Sequence, residues 1–431
     1  MASHDPAGAS ARGRLRAHLA LPLHRNAYFL LLGAGSGSLL GFVFWTLAAR
    51  RFPADAVGLG SVLISGIMIV SVVCQLGLNA VLFRYLPAAG ASARALIVRS
   101  YGLTAALSAL AGLGAALGSG VWAPDSAFLH ESPWWVLAFV AGTVAWTIFS
   151  LQDAVLTGLR QARWVPVENA LFSAARIAML FALVGVGARA GVFLAWIVPV
   201  LVALVPVNLL IFARLVPEHL RAGAEARLER ATILGLAAGN YLGTLFVMAS
   251  TTLLPVIVAA EAGSRTTAYF YIPWTISIAL QLVPLNTTTS LTVEAAYDES
   301  RLRDYCRSIS VQTLRLLLPV VAVLTLGAHY VLLVFGRAYA REGAWCLRLL
   351  ALAAIPSVVV MLGIAVARIH HDGRMALLIP GAASVLTIAL TLLLLPRVGI
   401  VGVGWATLAG QLAVAGWLLA GLLRPVYFAR A

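Results

Sequence analysis

The chain has 431 residues, 61% of them hydrophobic and 11% charged, a composition that fits no soluble class and suits a protein threaded repeatedly through a bilayer. Its formal charge of +14 rests on arginine alone, because the sequence contains no lysine. That absence excludes a lysine-bearing phosphate loop, hence ATP hydrolysis by the chain itself, and it excludes Schiff-base chemistry such as a retinal pocket.

Residues 1–25 are polar and arginine-rich and read as a cytoplasmic tail ahead of a retained signal anchor. About twelve apolar segments of bilayer-spanning length follow, without the alternation of a barrel strand. The first six are Asn26–Ala48, Gly58–Leu86, Leu96–Gly120, Trp134–Gly158, Trp164–Gly187 and Gly191–Arg214. In the first, Gly33, Gly37 and Gly41 recur every fourth residue. With no strand–turn–helix unit around them, they make a close-packing helix face and not a dinucleotide loop. The second span carries Ser71, Gln75 and Asn79 at i, i+4 and i+8, which places them on one face. The fifth holds Asn169, Ser173 and Arg176, again on one face. An arginine at mid-membrane costs at least ~3 kcal/mol, so Arg176 is expected to line a polar vestibule or to pair with Asp153 or Glu168.

The connector, residues 216–230, mixes Glu218, Glu225 and Glu229 with arginines and divides the chain into two six-helix halves, 26–215 and 231–424, before a short tail, 425–431. The second half reads as Ala231–Ala260, Thr267–Ala296, Tyr305–Ala328, Gly343–Ile369, Met375–Pro396 and Ile400–Leu423. Six spans return a chain to its starting side, so the halves form a parallel repeat. A shift of about 211 residues places Gln75 on Asn286 and Asn79 on Ser290. The seventh span carries Asn240, Thr244 and Thr251, and the eighth carries Gln281, Asn286 and a run of threonines between Pro273 and Glu294. Single hydroxyls and amides often only join helices, at ~0.6 kcal/mol each. Polar stripes on four helices fit a shared central cavity better, lined by Arg176, Asn169, Ser173, Gln75, Asn79, Asn240 and Asn286.

Arginines are distributed about 21 to 8 between the two sides, which places both termini and the connector in the cytoplasm. Topology and anionic membrane lipid account for the basic balance, and no nucleic acid is needed. Cys74, Cys306 and Cys346 are scattered and odd in number, and His370–His371 is not part of an HExxH motif. Neither a disulfide framework, a metal, a cofactor nor a catalytic group is expected.

Leu47-Ala48-Ala49-Arg50-Arg51-Phe52-Pro53, then Val57-Gly58, Gln75-Leu76-Gly77-Leu78-Asn79 and Arg84, resemble the opening of bacterial polysaccharide transporters. Gly239-Asn240-Tyr241, Pro255 and Ala268-Tyr269-Phe270 resemble the start of that family's second half. These are the lipid-linked oligosaccharide flippases, O-antigen type included, of the multidrug/oligosaccharidyl-lipid/polysaccharide (MOP) exporter superfamily. The resemblance implies an all-α, MATE-like fold in a bacterial cytoplasmic membrane and alternating access between two pseudo-symmetric lobes. It also implies a polyprenyl-pyrophosphate-linked glycan as substrate, with a polysaccharide polymerase and glycosyltransferases as partners. Arg176 is the natural contact for the pyrophosphate, and Arg84 a second one nearer the boundary. The first span lacks the acidic residue that many cation antiporters of the superfamily carry. A drug or metabolite exporter of the same fold, driven by an ion gradient, is the alternative. A membrane glycan polymerase or ligase is disfavoured because the outer loops are short and poor in catalytic groups.

Overall fold

The structure, a computed structural model, describes residues 39–184, 190–221, 230–297, 302–370 and 372–423. Both tails, most of the first expected span with Gly33 and Gly37, residues 222–229 of the connector and the side chain of Asn240 lie outside the described part. The described chain is helical and contains no strand among the described residues. Backbone groups in hydrocarbon have no water to bond, and a helix satisfies them within one segment.

In chain order the main helices are α1 (residues 39–51), α2 (Ala54–Cys74), α3 (Leu78–Tyr85), α4 (Ala93–Leu117), α5 (Pro133–Gly158), α6 (Trp164–Leu183), α7 (Gly191–Leu210), α8 (Val216–Arg221), α9 (Arg230–Tyr297), α10 (Leu302–Leu333), α11 (Arg337–Ile369), α12 (Gly373–Val398) and α13 (Ile400–Ala420). Among the described residues ten stretches are long and apolar enough to cross a membrane. One of them, Leu245–Thr288, has 44 residues, about 66 Å as a straight helix and roughly twice the hydrocarbon thickness. It makes two crossings. Gly263 breaks it at φ 77°, ψ 170°, and the Trp274 indole N–H donates to the Thr251 carbonyl at 2.9 Å, a contact only a hairpin allows. Counting both arms, and α1 as the end of the first span, brings the ten to the expected twelve.

Two helices differ from expectation. The second span is not one helix: α2 ends at Cys74, Leu76 and Gly77 take φ of 50° and 71°, and α3 starts afresh at Leu78. Two successive left-handed residues cannot continue a right-handed helix, so the i, i+4, i+8 face through Asn79 is interrupted. The sixth span runs past Arg214 instead of stopping there. A π-turn at Ile211–Leu215 adds residues to the spiral and α8 carries it to Arg221, into the stretch read as connector.

The apolar cores show how the halves meet. One cluster, with Leu82, Ile97, Leu151, Val155, Val165 and Ile211, comes from the first half alone. Another, with Leu302, Cys306, Val360, Ile364, Ile379 and Leu418, comes from the second. At the opposite end the main cluster draws on both, with Phe44, Trp45, Phe52 and Val57 packed with Ala268, Tyr271, Leu332 and Phe335, and a smaller one joins Val62 and Ala123 to Ala259. The halves therefore share a core at the end expected outside and keep separate cores at the end that leads to the connector. Near that second end the Tyr241 hydroxyl still reaches across to donate to the Val73 carbonyl.

Polar contacts reinforce the shared core. The Arg265 guanidinium holds Asp55 in a fork at 3.1 and 3.0 Å, and the Ser264 N–H donates to Asp125 Oδ2 at 2.7 Å. Arg50 donates to the Val334 and Leu333 carbonyls at 2.7 and 3.0 Å, capping the end of α10. Gly58 makes the seal possible. A Cβ there would lie 1.6 Å from the Ser264 carbonyl oxygen, so no other residue allows α2 this close to the hairpin turn.

Candidate functional site

α6 places Asn169, Ser173 and Arg176 on one face, as their spacing requires, but the three meet different surroundings. Asn169 faces the first half itself: its Nδ2 lies 3.0 Å from the Val165 carbonyl and 3.4 Å from Asp153 Oδ1. Ser173 is buried. Arg176, two turns further along than Asn169, reaches the junction of the two halves.

The Arg176 guanidinium lies between two aromatic rings, 5.1 Å from the centroids of both Phe44 and Phe172. One Nη nitrogen sits 3.3 Å from where a Cβ on Gly41 would be, so that glycine makes room for it. Tyr271, from the second half, is within electrostatic range and lies tilted against the Trp45 ring, with centroids 4.6 Å apart. Among the described residues Arg176 makes no ion pair, and its buried Nε has no hydrogen-bond partner. The pairing with Asp153 or Glu168 considered from sequence does not form. Ring faces offset part of a cation's desolvation but supply no charge. The site is a cation braced by two aromatic rings at the junction of the halves.

Glu168 and Asp153 form a separate buried group instead. Glu168 is 4% exposed and both its carboxylate oxygens lack partners, as does the hydroxyl of neighbouring Tyr101. On those elements Arg94, Arg99, Arg160, Arg163 and Arg214 are all exposed.

The other expected residues fall as follows. Gln75 is buried at the end of α2 and its Oε1 accepts from Asn79 Nδ2 at 2.6 Å across the helix break. Ser71 bonds the Thr143 carbonyl at 3.4 Å, inside the first half. Asn286 is exposed, beside Thr287, which is tied to Thr313 at 2.8 Å. The structure does not bring Gln75, Asn79 and Asn286 to Arg176. The sequence reading missed Gly41, Phe44, Phe172 and Tyr271. Phe172 was within reach, being four residues before Arg176 on the same helix face.

The sequence matches no protein-family model and no curated protein. The structure matches solved membrane transporters over nearly its whole length. It is similar to a multidrug resistance MATE family transporter of the MOP superfamily in an inward-facing conformation, with TM-score 0.66, 18% identity and 92% of this chain covering 96% of that one. It is similar to the lipid II flippase MurJ in an inward closed conformation, with TM-score 0.66, 12% identity and 92% and 87% covered. It is also similar to a MOP superfamily transporter from Pyrococcus furiosus described by the reverse polarity of its binding pocket, with TM-score 0.62, 17% identity and 95% and 96% covered. The chain is thus a multi-pass membrane protein with the all-α, MATE-like fold of the MOP transporters.

Proposed function

We propose that this protein is a flippase that carries a polyprenyl-pyrophosphate-linked oligosaccharide across a bacterial cytoplasmic membrane by alternating access. The observation that carries the reading is Arg176: a cation without a counter-charge among the described residues, held by Phe44 and Phe172 at the junction of the halves, with Nε unpartnered. An arginine fork matches phosphate oxygens, and a diphosphate entering this junction would supply the missing charge. In this scheme glycosyltransferases supply the substrate, a polymerase consumes it, and the shared core marks a state closed toward the outside. The aromatic surround of Phe44, Trp45, Phe172 and Tyr271 would also suit a drug exporter, but a fixed guanidinium repels cationic drugs, which favours an anionic cargo.

The test is glycan export by cells dependent on this protein. Arg176→Ala should nearly abolish export at normal protein levels, and Arg176→Lys should leave part of it, since lysine keeps the charge and loses the fork. Normal export by a well-expressed Arg176→Ala protein sinks the binding role.

A further inference from the structure

The exposed side of α10 changes character along its length. Leu316, Val320, Val323, Leu326 and Tyr330 on this side are each at least 45% exposed, and Val334 just beyond the helix is 46% exposed. From 316 to 334 the rise is about 27 Å, close to the hydrocarbon thickness of a bilayer. Immediately before Leu316 the same side turns polar. Arg315, Gln312, Ser308, Arg307 and Asp304 are exposed and line a groove of about 630 Å³ together with Val311 and Leu316. Steps of three and four residues keep them on one face. Thr313, bonded to Thr287 of α9, points to the other side, so the groove looks out of the bundle and away from Arg176.

Arg315 therefore sits at the hydrocarbon edge, although it falls inside the span expected at Tyr305–Ala328. Arg307, eight residues earlier, lies about 12 Å further out, through the headgroup layer. Neither makes an ion pair or hydrogen bond among the described residues, and Asp304 is the one acid of the groove against two arginines.

We propose that this groove binds the phosphate headgroup of an anionic phospholipid in the leaflet where α10 begins. Arg315 and Arg307 engage the phosphate layer from the hydrocarbon edge outward, and Val311 and Leu316 lie along the first acyl carbons. Charge complementarity selects the occupant. Two arginine forks against one acid among the described lining residues attract a net negative headgroup, whereas a zwitterionic lipid brings its own cation. The site does not depend on what the central cavity carries.

Native mass spectrometry of the full-length protein released from phosphatidylcholine nanodiscs containing phosphatidylglycerol reads bound lipid directly. The wild type should retain phosphatidylglycerol preferentially. An Arg307→Gln/Arg315→Gln double variant should lose that preference about tenfold or more, given what each basic residue adds near a charged surface. Arg307→Lys/Arg315→Lys should keep much of it, which separates charge from misfolding, and Arg337→Gln/Arg341→Gln at the opposite end should change nothing. Unchanged phosphatidylglycerol retention in the double Gln variant overturns the proposal, as does an equal loss of both lipids. Selective displacement of phosphatidylglycerol from the wild type by a polyprenyl pyrophosphate also overturns it and assigns the groove to a lipid-linked substrate.

Discussion

Gly58→Ala should break the seal between the halves at the end expected outside. The added methyl would meet the Ser264 carbonyl oxygen at 1.6 Å, less than half of an ordinary contact, so the hairpin turn must retreat by well over an ångström. Overpacking of that kind costs about 1–3 kcal/mol. The retreat also pulls the Ser264 N–H from Asp125, and a hydrogen bond to a charged acceptor contributes about 1.5–3 kcal/mol. The Asp55–Arg265 pair goes too, but it is mostly solvent-exposed and adds little. The total, about 2.5–6 kcal/mol against the closed arrangement, shifts the population toward the open one by at least about fiftyfold. A reporter lies within the shared cluster: Ala56 is 3% exposed. An Ala56→Cys protein should resist an impermeant maleimide applied from outside, and adding Gly58→Ala should make it react many times faster. Equal labelling rates in the two proteins would refute the steric argument.

Two further outcomes are expected. Replacing Glu168 with leucine should raise the melting temperature in detergent, because its carboxyl is buried without a partner and an apolar side chain removes that cost; an unchanged or lowered value contradicts the description of the site. Ala127, exposed beside the shared core, should react as a cysteine with an impermeant thiol reagent in intact cells, while Ala91→Cys near the opposite end should react only after permeabilisation; the reverse pattern inverts the topology.

The fold was largely legible because hydrocarbon leaves one backbone solution and fixes its length. Composition, span count and the division into halves all follow from that constraint. Departures arose where backbone conformation is decided by a few residues. Leu76-Gly77 reads as apolar helix, and nothing in periodicity reveals a left-handed pair; the π-turn at Ile211–Leu215 is equally invisible. Around the site, Arg176 was legible from its cost alone. Gln75 and Asn79 were not, because a helical wheel shows which residues share a face and not which neighbour that face meets. Here the Asn79 amide donates to Gln75, on the same stretch of chain and not toward Arg176. Phe44 and Tyr271 come from distant helices, and only packing brings them beside a charge.

The apolar core shared by both halves has a thermodynamic consequence. Each half keeps its own core, so the apolar surface bared by separation at the sealed end comes chiefly from parting Phe44, Trp45, Phe52 and Val57 from Ala268, Tyr271, Leu332 and Phe335, and Val62 and Ala123 from Ala259. Baring apolar surface to water raises heat capacity, so the activation enthalpy of that separation must grow with temperature. The rate of parting would then bend upward on an Eyring plot, with a curvature that measures how much of the shared cluster is wetted at the barrier.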